Sequence, residues 1–84
     1  LNLANSERFS HSIAEALKQL RLEAGVSQEE LARKAGVSRT AITMMENKQR
    51  NPTVLFCHAL CEALDVTFAQ VVAITEKPQK RKGR

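Results

Sequence analysis

Apolar residues recur along this chain at helical spacing, and no stretch alternates as a half-buried strand would. Phe9, Ile13, Leu17, Leu20 and Ala24 stand 4, 4, 3 and 4 residues apart, which draws one apolar stripe along a first helix closed by Gly25. Ser27, with Glu30 three residues on, has the form of a capping box. It opens a second helix that carries Leu31, Ala32 and Ala35 and stops at Gly36. Ser38 caps a third, with Ile42 and Met45 as its apolar pair and an end near Asn47. After a polar loop over 48–51, a fourth helix begins at Pro52, or at Val54 with Thr53 as cap, and runs to Leu64. Thr67 and Gln70 form a second box before a short fifth helix over about 68–74. The expected fold is all-α, a compact five-helix domain over residues 1–75.

The second and third helices, joined by a short turn around a glycine, have the form of a helix-turn-helix over 28–47. Ala32 stands where the two helices cross most closely, and a larger side chain would push them apart. Gly36 stands where the turn needs a positive φ, cheap only for glycine. Leu31, Ala35, Val37, Ile42 and Met45 supply the apolar contacts that fix the crossing. Arg39, Thr40, Thr43, Met44 and Asn47 are left facing outward.

Composition narrows the class. With 84 residues, 43% of them apolar and 26% charged, the chain holds one small core and no deep multi-step active site. No run approaches the ~20 apolar residues of a membrane helix, and no basic start precedes an apolar run, so a cytoplasmic protein without membrane contact is expected. Cys57 and Cys61, the only cysteines, read as reduced core residues one helical turn apart. A metal site combining them with His58 fails because His58 points about 100° away from Cys57 on a helix. His11 and His58 have no motif partner and there is no glycine-rich phosphate loop, so neither an enzyme nor a bound metal or cofactor is expected.

The net charge of +4 is uneven. Residues 33–50 carry Arg33, Lys34, Arg39, Lys48 and Arg50 against Glu46 alone, whereas 51–75 hold only Glu62 and Asp65. Such a basic window suits a polyanion, whose counterions are released on binding; as a charge pattern alone it equally suits a solvated face. The end, EKPQKRKGR over 76–84, has no apolar residue and reads as a disordered basic tail. It is either simply solvated or an arm that adds salt-dependent affinity.

The run SQEELARKAGVSRTAITMMENKQRNPTVLFCHALCEALDV resembles the lambda-repressor-like DNA-binding domains, the Cro/repressor or XRE family, and the resemblance extends over about residues 13–74. It implies a third helix laid in the major groove of B-DNA. Gln28 matches a phosphate-clasping position. Arg39 and Thr40, just inside the third helix, match positions that read base edges, and Thr43 and Met44 the next outward pair; Ser38, the cap, counts with them among the DNA-binding residues. Asn47 matches a phosphate-contacting asparagine, with Lys48 and Arg50 continuing onto the backbone. The chemistry agrees: Arg39 suits guanine O6 and N7, the threonines offer a hydroxyl and a methyl, and Met44 offers only apolar contact. Arg21 and Glu46 match a pair that bridges the first helix to the end of the third. Lys48 and Asp65 stand where relatives often have glycine.

The fourth helix departs further, with Leu55, Phe56 and Ala59 where relatives usually show polar residues. Together with Val72 they form either an exposed patch that marks a homodimer interface or a core wrapped by Leu1 and Leu3. The resemblance thus implies a sequence-specific regulator of transcription on double-stranded DNA, a bacterial or phage repressor acting as a homodimer on a palindromic operator. The alternatives are an antitoxin with a protein partner, a restriction–modification controller, or a protein-interaction module on the same fold. The basic excess over 33–50 argues against the last.

Overall fold

The computed structural model describes residues 3–76, which form α1 (Leu3–Glu23), α2 (Gln28–Ala35), α3 (Arg39–Glu46), α4 (Val54–Leu64) and α5 (Phe68–Glu76). The expected N-caps hold. The side-chain oxygens of Ser27, Ser38 and Thr53 each accept from the N–H three residues on, at 3.0 Å. Thr53 as cap places the start of α4 at Val54 rather than at Pro52. Before α5 the box is reciprocal: Gln70 N–H donates to Thr67 Oγ1 at 3.0 Å and Thr67 N–H to Gln70 Oε1 at 2.7 Å.

Helices α1 to α4 also end alike. In each a residue with positive φ follows the last turn: Gly25 (71°), Gly36 (73°), Lys48 (61°) and Asp65 (59°). The next N–H reaches back five residues, from Val26 to Arg21, Val37 to Ala32, Gln49 to Met44 and Val66 to Cys61, at 2.8–3.1 Å. A Cβ at Gly36 would meet nothing within 4 Å, so the backbone angle, not crowding, is what calls for glycine there. At 48 and 65 an L-residue carries that angle, and asparagine and aspartate tolerate it better than most. Asp65→Gly should therefore raise stability by about 0.5–1 kcal/mol, a few degrees in Tm for a domain of this size. Thermal and urea denaturation check this; an unchanged or lowered midpoint would show that Asp65 is unstrained.

Every helix contributes to one core, whose largest fully buried side chains are Leu17 of α1, Leu31 of α2, Ile42 and Met45 of α3, Leu60 of α4 and Val71 of α5. α1 packs on α3, α4 and α5, and α2 lies between α3 and α4. Cys57 and Cys61 are buried free thiols. Burial, and secondarily Cys61, pushes the Cys57 thiol up to about 11, which keeps it protonated and unreactive. His58 lies on the solvent side, its side chain 67% exposed near Glu62.

Two boundaries differ from the sequence pattern. α1 starts six residues ahead of Phe9, and Phe9 itself is 48% exposed. Its buried side is Ile13, Ala14, Ala16, Leu17 and Arg21. The first turns are exposed, with local bonds such as Arg8 Nη1 to Asn5 Oδ1 at 2.9 Å, so no burial periodicity marks them. α5 runs on to Glu76, which leaves 77–84 of the expected tail, and Leu1, outside the described residues. Leu3 is 73% exposed, too open to be the cover of an apolar patch. Among the described residues no single helix is long and apolar enough to cross a membrane.

Candidate nucleic-acid interface

α3 is held by one face and presents the other. Ala41, Ile42, Met45 and Glu46 are buried, while Arg39, Thr40 and Asn47 are exposed and Thr43 and Met44 half-buried between them. At 100° per residue these five positions form one outward stripe. It is the stripe expected from the sequence, and its base, Ser38, is exposed with its hydroxyl accepting from Ala41 N–H.

Behind the stripe lies the expected ion pair. Arg21 Nε and Nη2 donate to the two oxygens of Glu46 at 2.8 and 3.0 Å, and Nη1 donates to the Val26 carbonyl at 2.8 Å. Both residues are buried, at 8% and 4% exposure. The pair ties the end of α1, the α1–α2 turn and the last turn of α3 together, which fixes the angle at which α3 stands out.

Gln28 makes bonds inside the protein that its expected role did not include. Its Nε2 donates to Glu46 Oε1 at 2.8 Å and its Oε1 accepts from the Thr43 hydroxyl at 2.9 Å. The amide is thus engaged inside the protein at both ends, with one N–H left for an outside acceptor. No local sequence signal shows this, because it depends on how α2 and α3 cross.

The cations also divide. Lys48 Nζ pairs with the Glu15 carboxylate of α1, and that contact holds the Glu15 carboxyl below the usual carboxylate range. Arg39 and Arg50 are exposed and form no ion pair among the described residues. Asn51, beside Arg50, accepts from the Ser10 hydroxyl at 3.1 Å, pinning the loop after α3 to α1.

The apolar patch differs from the expected one. Phe56 and Val72 are not spare: both are partly buried and packed against the core. Phe56 lines a cleft of about 290 Å³ with Val37, Ala41 and Met45, because the crossing of α4 turns it towards the helix-turn-helix. Ala59 is half-buried. Leu55 is 80% exposed, as expected, and Val54 is 81% exposed beside it. Val54 also lines a second groove, of about 160 Å³, with Phe9, Ile13, Pro52, Cys57 and Phe68. The open apolar surface is therefore the start of α4 with neighbouring parts of α1 and α5, not α4 with Val72.

A helix-turn-helix family profile matches residues 17–71, from the core of α1 to the core of α5. The chain belongs to that family. It is a helix-turn-helix protein of the Cro/repressor (XRE) type, a class of DNA-binding transcription regulators. It is 36% identical over 59 residues to the uncharacterized HTH-type transcriptional regulator y4dJ of Sinorhizobium fredii, covering 70% of this chain and 77% of y4dJ. It is 41% identical over 56 residues to the HTH-type transcriptional regulator SinR of Bacillus subtilis, covering 66% of this chain but half of SinR. Among solved structures, a mutant of the restriction–modification controller protein C.Esp1396I superposes with a TM-score of 0.76 at 30% identity, over 80% of this chain and 87% of that one. The C.Esp1396I tetramer in complex with its natural 35 base-pair operator gives 0.73 at 29% identity, over 82% and 96%.

Proposed function

We propose that this helix-turn-helix protein is a sequence-specific repressor that binds double-stranded DNA in the cytoplasm as a homodimer on a palindromic operator. The observation that carries the reading is the division of α3. Its buried face is fixed by the core and by Arg21–Glu46, while the side chains of Arg39 and Thr40, in its first turn, are exposed and make no hydrogen bond or ion pair among the described residues. In helix-turn-helix complexes the first turn of the second helix meets base edges. Arg39 is the guanine reader, Thr40, Thr43 and Met44 line the groove, and Asn47, Lys48, Arg50 and the remaining N–H of Gln28 face phosphates. The likeness to C.Esp1396I, whose operator complex is a tetramer, favours the restriction–modification controller form of this reading over the antitoxin form.

Two substitutions separate reading from holding. Arg39→Ala should weaken binding to the best site and relax preference at one base position. Arg50→Ala should weaken binding to all sequences alike and lower the salt slope by about one unit. Lys48→Ala should lower it by less, because Lys48 must first leave Glu15. Titrations of labelled duplexes over a salt series check this. Equal, sequence-independent losses from Arg39→Ala and Arg50→Ala would place Arg39 on phosphate and remove the assigned reader.

A further inference from the structure

The hydrogen bonds around Glu46 fix the direction of one hydroxyl on the recognition helix. The Glu46 carboxylate, paired with the Arg21 guanidinium, only accepts. The Gln28 atom 2.8 Å from Glu46 Oε1 must then be the amide nitrogen. The other end of the same amide is a carbonyl oxygen, which also only accepts, and it lies 2.9 Å from Thr43 Oγ1. A hydroxyl has one proton, so Thr43 donates it to Gln28. A buried ion pair thereby sets, through one amide, what Thr43 still offers: two lone pairs and a methyl group.

A threonine with a free hydroxyl turns its proton to suit the base and discriminates little, because it pairs with donors and acceptors alike. We infer that Thr43 is instead a base-reading residue of fixed polarity that excludes guanine from the position it faces, and that Gln28 is the positioning residue that imposes this. The inference rests on the DNA-binding reading above. In the major groove adenine N6 and cytosine N4 present amino donors that match the lone pairs, and thymine presents a methyl that packs on the threonine methyl. Guanine presents N7 and O6, both acceptors, which meet lone pairs with no proton between them.

The test is selection of bound duplexes from a random pool by wild type, Thr43→Val and Gln28→Ala. The base position whose preference changes in Thr43→Val is the one that Thr43 faces. There, wild type should bind guanine roughly tenfold more weakly than adenine or cytosine, the scale of one good groove contact. Thr43→Val, which keeps the shape and the methyl, should lose the preference for adenine and cytosine and keep thymine. Gln28→Ala frees the hydroxyl proton and should bring guanine to within about twofold of adenine at that position, with the preferences at all other positions unchanged and the overall affinity lowered. The two bonds from Arg21 to Glu46 do not involve Gln28, and should the variant still fail to fold, the wild-type and Thr43→Val profiles decide the polarity without it. Selection of guanine by wild type at the Thr43-dependent position, or guanine still excluded in a folded Gln28→Ala, would overturn the inference. A protein that selects its site but gives the same profile with valine at 43 overturns it too, leaving the DNA-binding reading standing. No selected sequence from wild type would remove both.

Discussion

Glu46→Ala should lower the stability of the domain by about 3–5 kcal/mol, the largest effect expected of any single substitution here. The cost comes from what is left behind rather than from the bond removed. Arg21 is 8% exposed and would keep a buried charge whose one remaining partner among the described residues is the Val26 carbonyl. Gln28 Nε2 would lose its acceptor as well. Small domains have about 5–15 kcal/mol in total, so the loss takes a large part of it, and Tm should fall by well over 10 °C at about 4–8 °C per kcal/mol. Replacing both partners, Arg21→Met with Glu46→Leu, should cost clearly less than the sum of the single changes, because no unpaired charge remains. Urea titrations of the four proteins of that cycle measure the coupling. A value near zero would mean that the ion pair is not what ties α1 to the end of α3.

Leu55→Lys should give a folded monomer that binds the operator at least about a hundredfold more weakly, the scale on which two linked half-site contacts exceed one. Leu55 is 80% exposed, so the change leaves the core untouched. Phe56 would be the wrong choice, because its ring packs on the core and a lysine there would test folding instead of assembly. A two-fold interface needs a self-complementary patch, and the exposed start of α4, with Val54 at 81% exposure and the groove against Phe9 and Phe68, supplies apolar surface for one. The added lysine also raises non-specific attraction to DNA, so a loss of affinity has to come from assembly. Sedimentation and duplex titration check the two parts together. Wild type sedimenting as a monomer both free and on DNA, or Leu55→Lys retaining full affinity, would contradict the interface.

Legibility in the sequence followed the range of each interaction. Caps at Ser27, Ser38, Thr53 and Thr67 act over three residues, and the turns at Gly25 and Gly36 on single backbone angles, so local pattern was enough for them. Resemblance to the family pointed to Arg21 and Glu46, and the structure supplies their geometry. What periodicity misses is set by helix crossing. Leu55 and Phe56 are both apolar neighbours on a helix that is apolar nearly all round, and no pattern says which faces inward. Lys48 and Glu15 lie 33 residues apart and meet only once α1 and α3 are packed. The bonds from Gln28 to Thr43 and Glu46 depend on the same packing, which is why a residue expected to clasp phosphate turns out to be bonded within the protein.

Whether the outward stripe of α3 reads duplex DNA as one half of a two-fold pair is decided by selecting bound duplexes from a random pool with the wild-type protein. The expected result is a two-fold symmetric consensus whose half-sites lie one helical turn, ~34 Å, apart. Retention of all duplexes alike, with no consensus emerging, would contradict it.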